Sequence, residues 1–314
     1  MLDKTSIEDA YALIRPYIRK TPIMEVSAED ILGDRNDNNQ ICLKLEQLQY
    51  AGSFKPRGAF YSLLSQSELP SSVAAASGGN HGAAVAYTAQ KLSIPCKIFV
   101  PKSAPKPKID RIKDFGADIM VDGDNFAQAL LNCEQHIAQT GAFSIHAYND
   151  ITTITGQATV ALEWLSQIQD LDTVIIAVGG GGLIAGMSSY IKMVSDIRVV
   201  SVETSNSASL YHAIINGKPI KVTPSGIAAD SLGASMAGDK CFTLANKNVD
   251  EFICVEDEDV LKAQFQLWKD YRIIAEPGGA AAFAAISSGI YEAAPNEKIG
   301  ILVCGGNAKL DNFI

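Results

Sequence analysis

Thr173-Val174-Ile175-Ile176-Ala177-Val178-Gly179-Gly180-Gly181-Gly182-Leu183-Ile184-Ala185-Gly186-Met187 reads as a strand that stops at four consecutive glycines and hands over to a helix. The unbroken apolar run is the pattern of a strand covered on both faces. Four glycines let the backbone approach a ligand closely, and the helix start turns unsatisfied N–H groups and partial positive charge back toward the turn. A junction of this kind suits a phosphate group. A flexible connector or a dinucleotide site are the other readings, and Ile184 departs from G-x-G-x-x-G spacing.

Outward from this junction the same alternation continues. Strand-like runs fall at 73–76, 96–100, 143–146, 198–203 and 298–304, and helical spacing of apolar side chains at 81–92, 125–139, 156–168 and 183–194. Strands alternating with helices predict an α/β fold with a parallel sheet covered by helices on both faces. The 314 residues suffice for a sizeable core and two lobes. A formal net charge of -9 argues against a nucleic-acid footprint. Lys102, Lys106, Lys108 and Lys113 form a local basic stretch, broken by Pro101, Pro105 and Pro107, that reads as a solvated loop leading into a helix. The N-terminus lacks the basic start and apolar core of a signal peptide. No apolar run approaches the ~20 residues of a membrane helix, so a cytoplasmic protein without membrane contact is expected. Six cysteines without a C-x-x-C pair indicate neither a zinc knuckle nor a disulfide framework.

Three further motifs carry chemistry. Ser53-Phe54-Lys55-Pro56-Arg57-Gly58 holds a lysine that on its own would be a surface charge. Ser77-Gly78-Gly79-Asn80-His81-Gly82 follows the apolar run 73–76 and opens a helix, where backbone and hydroxyl donors suit a carboxylate. Asn80 can donate to a ring hydroxyl there, whereas a single histidine at a helix start is more often a structural hydrogen-bonder. Cys304-Gly305-Gly306-Asn307 ends the run Ile299 to Val303, and Cys304 alone would be a core cysteine.

Taken in order, these four motifs resemble the pyridoxal-phosphate enzymes of the serine/threonine dehydratase and serine racemase family, fold type II, with the tryptophan synthase β-like architecture. Leu43-Lys44-Leu45-Glu46, Gly226-Ile227-Ala228-Ala229-Asp230 and Glu276-Pro277-Gly278-Gly279 extend the likeness over residues 5 to 310. The resemblance implies two lobes, each with a mostly parallel sheet flanked by helices. The large lobe would comprise 1–49 and 141–314 and the small mobile lobe 50–140, in a homodimer. It further implies that Lys55 forms the Schiff base with pyridoxal 5'-phosphate and then removes the Cα proton of an amino-acid substrate, with Phe54 packed on the ring. Gly179, Gly180, Gly181, Gly182 and Leu183 would receive the phosphate, Asn80 the ring oxygen and Cys304 the pyridine nitrogen. Ser77, Gly78, Asn80 and His81 would surround the substrate carboxylate. Glu276 would lie near the ring, cap a helix or face solvent.

Two departures bear on the reaction. Serine racemases have a second serine where this chain has Gly78, so a two-base racemisation is disfavoured. Their divalent-metal site matches Glu203 and the Ser207 carbonyl, but Ser209 replaces an aspartate, and no tight metal site is expected. The expected activity is that of a dehydratase (ammonia-lyase) acting on L-threonine or L-serine. It would remove the Cα proton and the β-hydroxyl, the latter assisted by the cofactor phosphate, to give a 2-oxo acid and ammonia. A serine racemase with dehydratase side activity, a hydroxyaspartate or phenylserine dehydratase, a β-replacement synthase and a non-catalytic phosphate- or nucleotide-binding α/β protein are the alternatives. Ending at Ile314, the chain is expected to lack a C-terminal effector domain.

Overall fold

The computed structural model describes residues 2–102, 104 and 106–308. Pro105 of the basic stretch, the last residues of the family likeness and Ile314 lie outside the described residues. Ten strands run in chain order: β1 (Ile23–Val26), β2 (Gln40–Leu45), β3 (Val73–Ala76), β4 (Cys96–Val100), β5 (Asp118–Val121), β6 (Phe143–Ser144), β7 (Thr173–Ala177), β8 (Arg198–Thr204), β9 (Glu251–Val255) and β10 (Lys298–Val303). They form two sheets, one ordered β1-β2-β10-β7-β8-β9 and one ordered β5-β4-β3-β6. Every pairing is parallel except β1 with β2. This is the α/β architecture that the alternation predicts, with helices flanking both sheets.

The central strands are buried throughout. All five residues of β7 are buried, and its register against β10 sets Ile299 beside Thr173 and Ile301 beside Ile175. Each sheet has its own apolar core, and Ile14 and Ile18 from the N-terminal segment join the core of the smaller sheet. Strand β6 ends two residues before the expected run does, and the Ile145 carbonyl instead accepts a hydrogen bond from His81. The helix expected from 156 begins at Ile151, because the Asp150 carboxylate accepts from the Thr152 N–H at 2.9 Å and caps it. Among the described residues no helix is long and apolar enough to cross a membrane.

Helix Pro56–Leu64 crosses helix Ile151–Gln167 at a glycine contact. A Cβ on Gly156 would lie 2.6 Å from the Arg57 carbonyl oxygen, so only glycine allows this approach. The close crossing brings Arg57 into a buried network of four charges. Arg57 Nε and Nη2 donate to the two Glu46 oxygens at 2.8 and 2.7 Å, and Nη2 also reaches Glu163 at 3.0 Å. Lys44 Nζ donates to the same Glu163 oxygen at 2.6 Å, and all four side chains are fully buried. Two cations and two anions cancel, which is the condition under which buried charges are tolerated.

Glu46→Ala would strand Arg57 with one carboxylate instead of two. The expected loss is about 3–5 kcal/mol, read from urea denaturation. A loss below about 1 kcal/mol would contradict the network's structural role.

Candidate active site

The carboxyl ends of β3, β7 and β10 each run into one of the three glycine-rich turns, where ligands bind in open parallel sheets. The turns surround a cavity of about 550 Å³. Phe54, Lys55, Ser77, Gly78, Asn80, His81, Gly179, Gly180, Gly181, Gly182, Leu183 and Cys304 all line it, so every site residue expected from the sequence is brought to one place.

Lys55 is positioned by its backbone on both sides. Ser53 pairs with Gly305 in an antiparallel bridge, and the Phe54 N–H donates to the Cys304 carbonyl at 3.1 Å. Pro56 then starts the helix, its missing N–H costing nothing at that position. The Lys55 amine donates to the Ala147 carbonyl at 2.9 Å and lies 5.0 Å from the centre of the Phe54 ring. Burial pushes the amine down from 10.5 to about 8, against the opposing pull of Cys304, Cys241 and Glu276. The neutral, nucleophilic amine is therefore a minority form at pH 7 that becomes the major form above about 8, whereas an ordinary lysine stays protonated until about 10.5.

In the β7 turn, a Cβ on Gly180 would lie 2.4 Å from the Tyr148 ring, and Gly181 sits at φ 94°. Side chains are thus excluded on steric and backbone grounds. Helix Gly182–Val194 opens directly from this turn and leaves its first N–H groups available to an anion. At the end of β10 the buried Cys304 thiol donates to the Gly278 carbonyl at 3.3 Å, and burial raises its pKa, which keeps it a neutral thiol.

The Ser77–Gly82 turn begins helix Asn80–Lys91. Ser77 Oγ accepts from the Gly79 N–H at 3.2 Å. His81 Nε2 donates to the Ile145 carbonyl at 2.8 Å, and burial, then Lys55, lowers its pKa to about 3. The imidazole is thus a neutral hydrogen-bonder. Asn80 Nδ2 donates to Glu276 Oε1 in a short contact. Glu276 precedes helix Pro277–Ser287, but its side chain is buried and lines the cavity, so the solvent-facing alternative falls. Burial raises its pKa to about 7.

Sequence reasoning missed Ala147, Tyr148 and the segment Ala229–Ser235, which also line the cavity. These have neither a glycine run nor a titratable cluster, and only the Gly226–Asp230 motif pointed nearby. Lys108 is no solvated charge: it ion-pairs with Asp230 across to this segment. The Glu203 oxygens accept from the Leu210 and Tyr211 N–H groups at 3.0 and 2.6 Å, and Ser209 Oγ donates to the Gly179 carbonyl at 3.1 Å. The Glu203 carboxyl, raised to about 8 by burial, is committed to the start of helix Ser209–Asn216, and a serine hydroxyl committed to a carbonyl is a poor substitute for an aspartate ligand.

The family model for pyridoxal-phosphate dependent enzymes matches residues 14–305. The chain is 33% identical to the L-threonine ammonia-lyase of Thermotoga maritima, over 98% of this chain and 76% of that protein. It is 31% identical to the phenylserine dehydratase of Ralstonia pickettii, over 99% and 97%. Maize serine racemase superimposes with a TM-score of 0.92 at 32% identity, covering 98% of this chain and 94% of that one. The cavity suits pyridoxal phosphate on its own chemistry. It combines an amine of lowered pKa, a side-chain-free turn at a helix start and a neutral thiol.

Capture of pyridoxal phosphate by the apoprotein through the Lys55 amine is expected to quicken with rising pH, with its midpoint near 8. Stopped-flow absorbance across pH 6 to 11 measures it, and a midpoint near 10.5, the ordinary lysine value, would contradict the burial of the amine.

Proposed function

This chain belongs to the pyridoxal-phosphate dependent enzyme family and is a lyase of the threonine/serine dehydratase type, and on that premise we propose that it converts L-threonine or L-serine to a 2-oxo acid and ammonia. The observation that carries the proposal is the pairing of Lys55, an amine at about 8 inside the cavity, with Gly78, which has no side chain to serve as a second proton carrier.

Bound pyridoxal phosphate would supply the electron sink that makes the substrate Cα–H bond acidic. Lys55 Nζ would hold the cofactor and would take the Cα proton of the substrate, and its lowered pKa suits both tasks. The N–H groups of Gly179 to Leu183 would hold the phosphate, and Phe54 would pack against the ring. Asn80 would donate to the ring oxygen. The neutral Cys304 thiol would meet the pyridine nitrogen without protonating it, which favours elimination over reactions that need a stronger sink. Ser77 and the start of helix Asn80–Lys91 receive the substrate carboxylate, with His81 contributing position rather than charge.

We assign one lobe to each sheet, a large lobe of 1–49 and 141–314 and a small lobe of 50–140, except that β6 pairs with β3 and so carries the small lobe past 140 to Ser144. Six free cysteines fit a reducing cytoplasm, and a homodimer is the assembly we assign. A bulkier β-substituent, as in phenylserine, is the second reading, favoured by Phe126, which lines the cavity with 54% of its surface exposed.

Lys55→Ala is expected to lower 2-oxo acid release at least ~100-fold while leaving the thermal melt of the apoprotein unchanged or raised. Full activity in that variant would overturn the assignment of Lys55.

A further inference from the structure

We propose that Arg111 and Asn307 are positioning residues that fix which end of the Asn80 amide faces the cofactor. The inference rests on the reading that Asn80 meets the ring oxygen.

Arg111 lies half-buried on helix Lys106–Asp114, beside the smaller sheet, and Asn307 follows β10 of the larger one. Arg111 Nη1 donates to Asn307 Oδ1 in a short contact. A guanidinium has donors only, so the Asn307 atom that faces it is the oxygen. The opposite end of Asn307 is fixed independently, because Nδ2 donates to the Ala51 carbonyl at 2.9 Å, and a carbonyl only accepts. With both ends determined, Nδ2 also meets Asn80 Oδ1 at 2.5 Å as a donor. Asn80 must then turn its oxygen away from the cavity partners and leave Nδ2, already donating to Glu276, as the end available there. An amide is nearly symmetric in shape, so packing alone would not choose its orientation; a chain ended by a donor-only and an acceptor-only group does.

The backbone is shaped for this chain. Ala51 and Gly52 occupy left-handed conformations at φ 55° and 69°, which an alanine adopts only at a cost, and the Ala51 carbonyl meets Asn307. A Cβ on Gly52 would lie 2.3 Å from Asn307 Oδ1 and 2.8 Å from Arg111 Nη2, so glycine there leaves room for the contact. The same turn leads directly into Lys55. Arg111 and Asn80 come from the body of the smaller sheet, and Asn307 and Glu276 from the larger. The orientation of Asn80 therefore depends on how the two bodies are set against each other.

The test is a double-mutant cycle on the enzyme stripped of pyridoxal phosphate and titrated with it again. Its readouts are the cofactor Kd and the visible circular dichroism of the bound cofactor. Asn80→Ala and Arg111→Met are each expected to weaken binding about fivefold, the worth of one hydrogen bond, and to change the dichroism alike. The double variant should be no weaker than Asn80→Ala, and Arg111→Lys, still a donor-only side chain, should restore most of the signal. Should Arg111→Met fail to fold, Asn307→Asp gives the same reading, because aspartate accepts from Arg111 but cannot donate to Asn80. A wild-type Kd and dichroism in Arg111→Met or Asn307→Asp, or full additivity with Asn80→Ala, would overturn the proposal. Unaltered cofactor binding in Asn80→Ala would overturn it together with the reading of Asn80. Neither readout uses an amino acid, so an error in the assigned substrate leaves the outcome untouched.

Discussion

The buried quartet of Arg57, Glu46, Glu163 and Lys44 is the constraint on which the site depends. Arg57 stands two residues after Lys55, and its bidentate grip on Glu46 joins the lysine's helix to the segment that follows β2. Its third contact, to Glu163, joins the same helix to Ile151–Gln167. Thr21 contributes by donating to both carboxylates, its hydroxyl in a short contact with Glu46 and its backbone N–H to Glu163 at 3.0 Å. Buried ion pairs add little net stability compared with well-packed apolar residues, but breaking one leaves an uncompensated charge. Their effect is to make one placement of the Pro56–Leu64 helix far better than its neighbours. The Lys55 backbone inherits that placement.

Burial governs the chemistry of the cavity as well. It lowers the amine of Lys55 to about 8, raises the carboxyl of Glu276 to about 7, lowers His81 to about 3 and keeps the Cys304 thiol neutral. Near neutrality His81 and Cys304 are thus neutral, while Lys55 is still largely protonated and Glu276 partly ionised, so the two groups that keep charge in the cavity are of opposite sign. The same shift has a cost in stability. Below pH 8 the folded apoprotein must hold Lys55 charged in a desolvated place; between about 8 and 10.5 the unfolded chain binds the extra proton. Stability from this group therefore rises with pH through that window and is complete above it.

What was legible in the sequence was local. The apolar run Thr173–Val178 and the four glycines after it are contiguous, and the structure reproduces the junction almost residue for residue. The same holds for β3 and β4, whose boundaries match the apolar runs. The start of helix Ile151–Gln167 was missed because its cap, Asp150, lies ahead of the apolar pattern in a run of polar residues. The charge quartet was invisible for another reason: Lys44 and Glu163 are 119 positions apart, and only the packing of two helices at Gly58 and Gly156 brings Arg57 between them. The Arg111–Asn307 contact spans 196 positions and follows from the relative setting of two sheets. No spacing rule reaches that far. The family likeness named residues that the structure gathers around one cavity, but it gave no hint of what holds those residues in place.

The most direct test of the account incubates the reconstituted enzyme with L-threonine and with L-serine and follows 2-oxo acid, ammonia and the enantiomeric composition of the remaining amino acid together. 2-oxo acid and ammonia are expected in equal amounts, with no D-serine accumulating, because Gly78 leaves Lys55 without a second proton carrier at that position. Accumulation of D-serine faster than pyruvate, or turnover of neither amino acid, would contradict it.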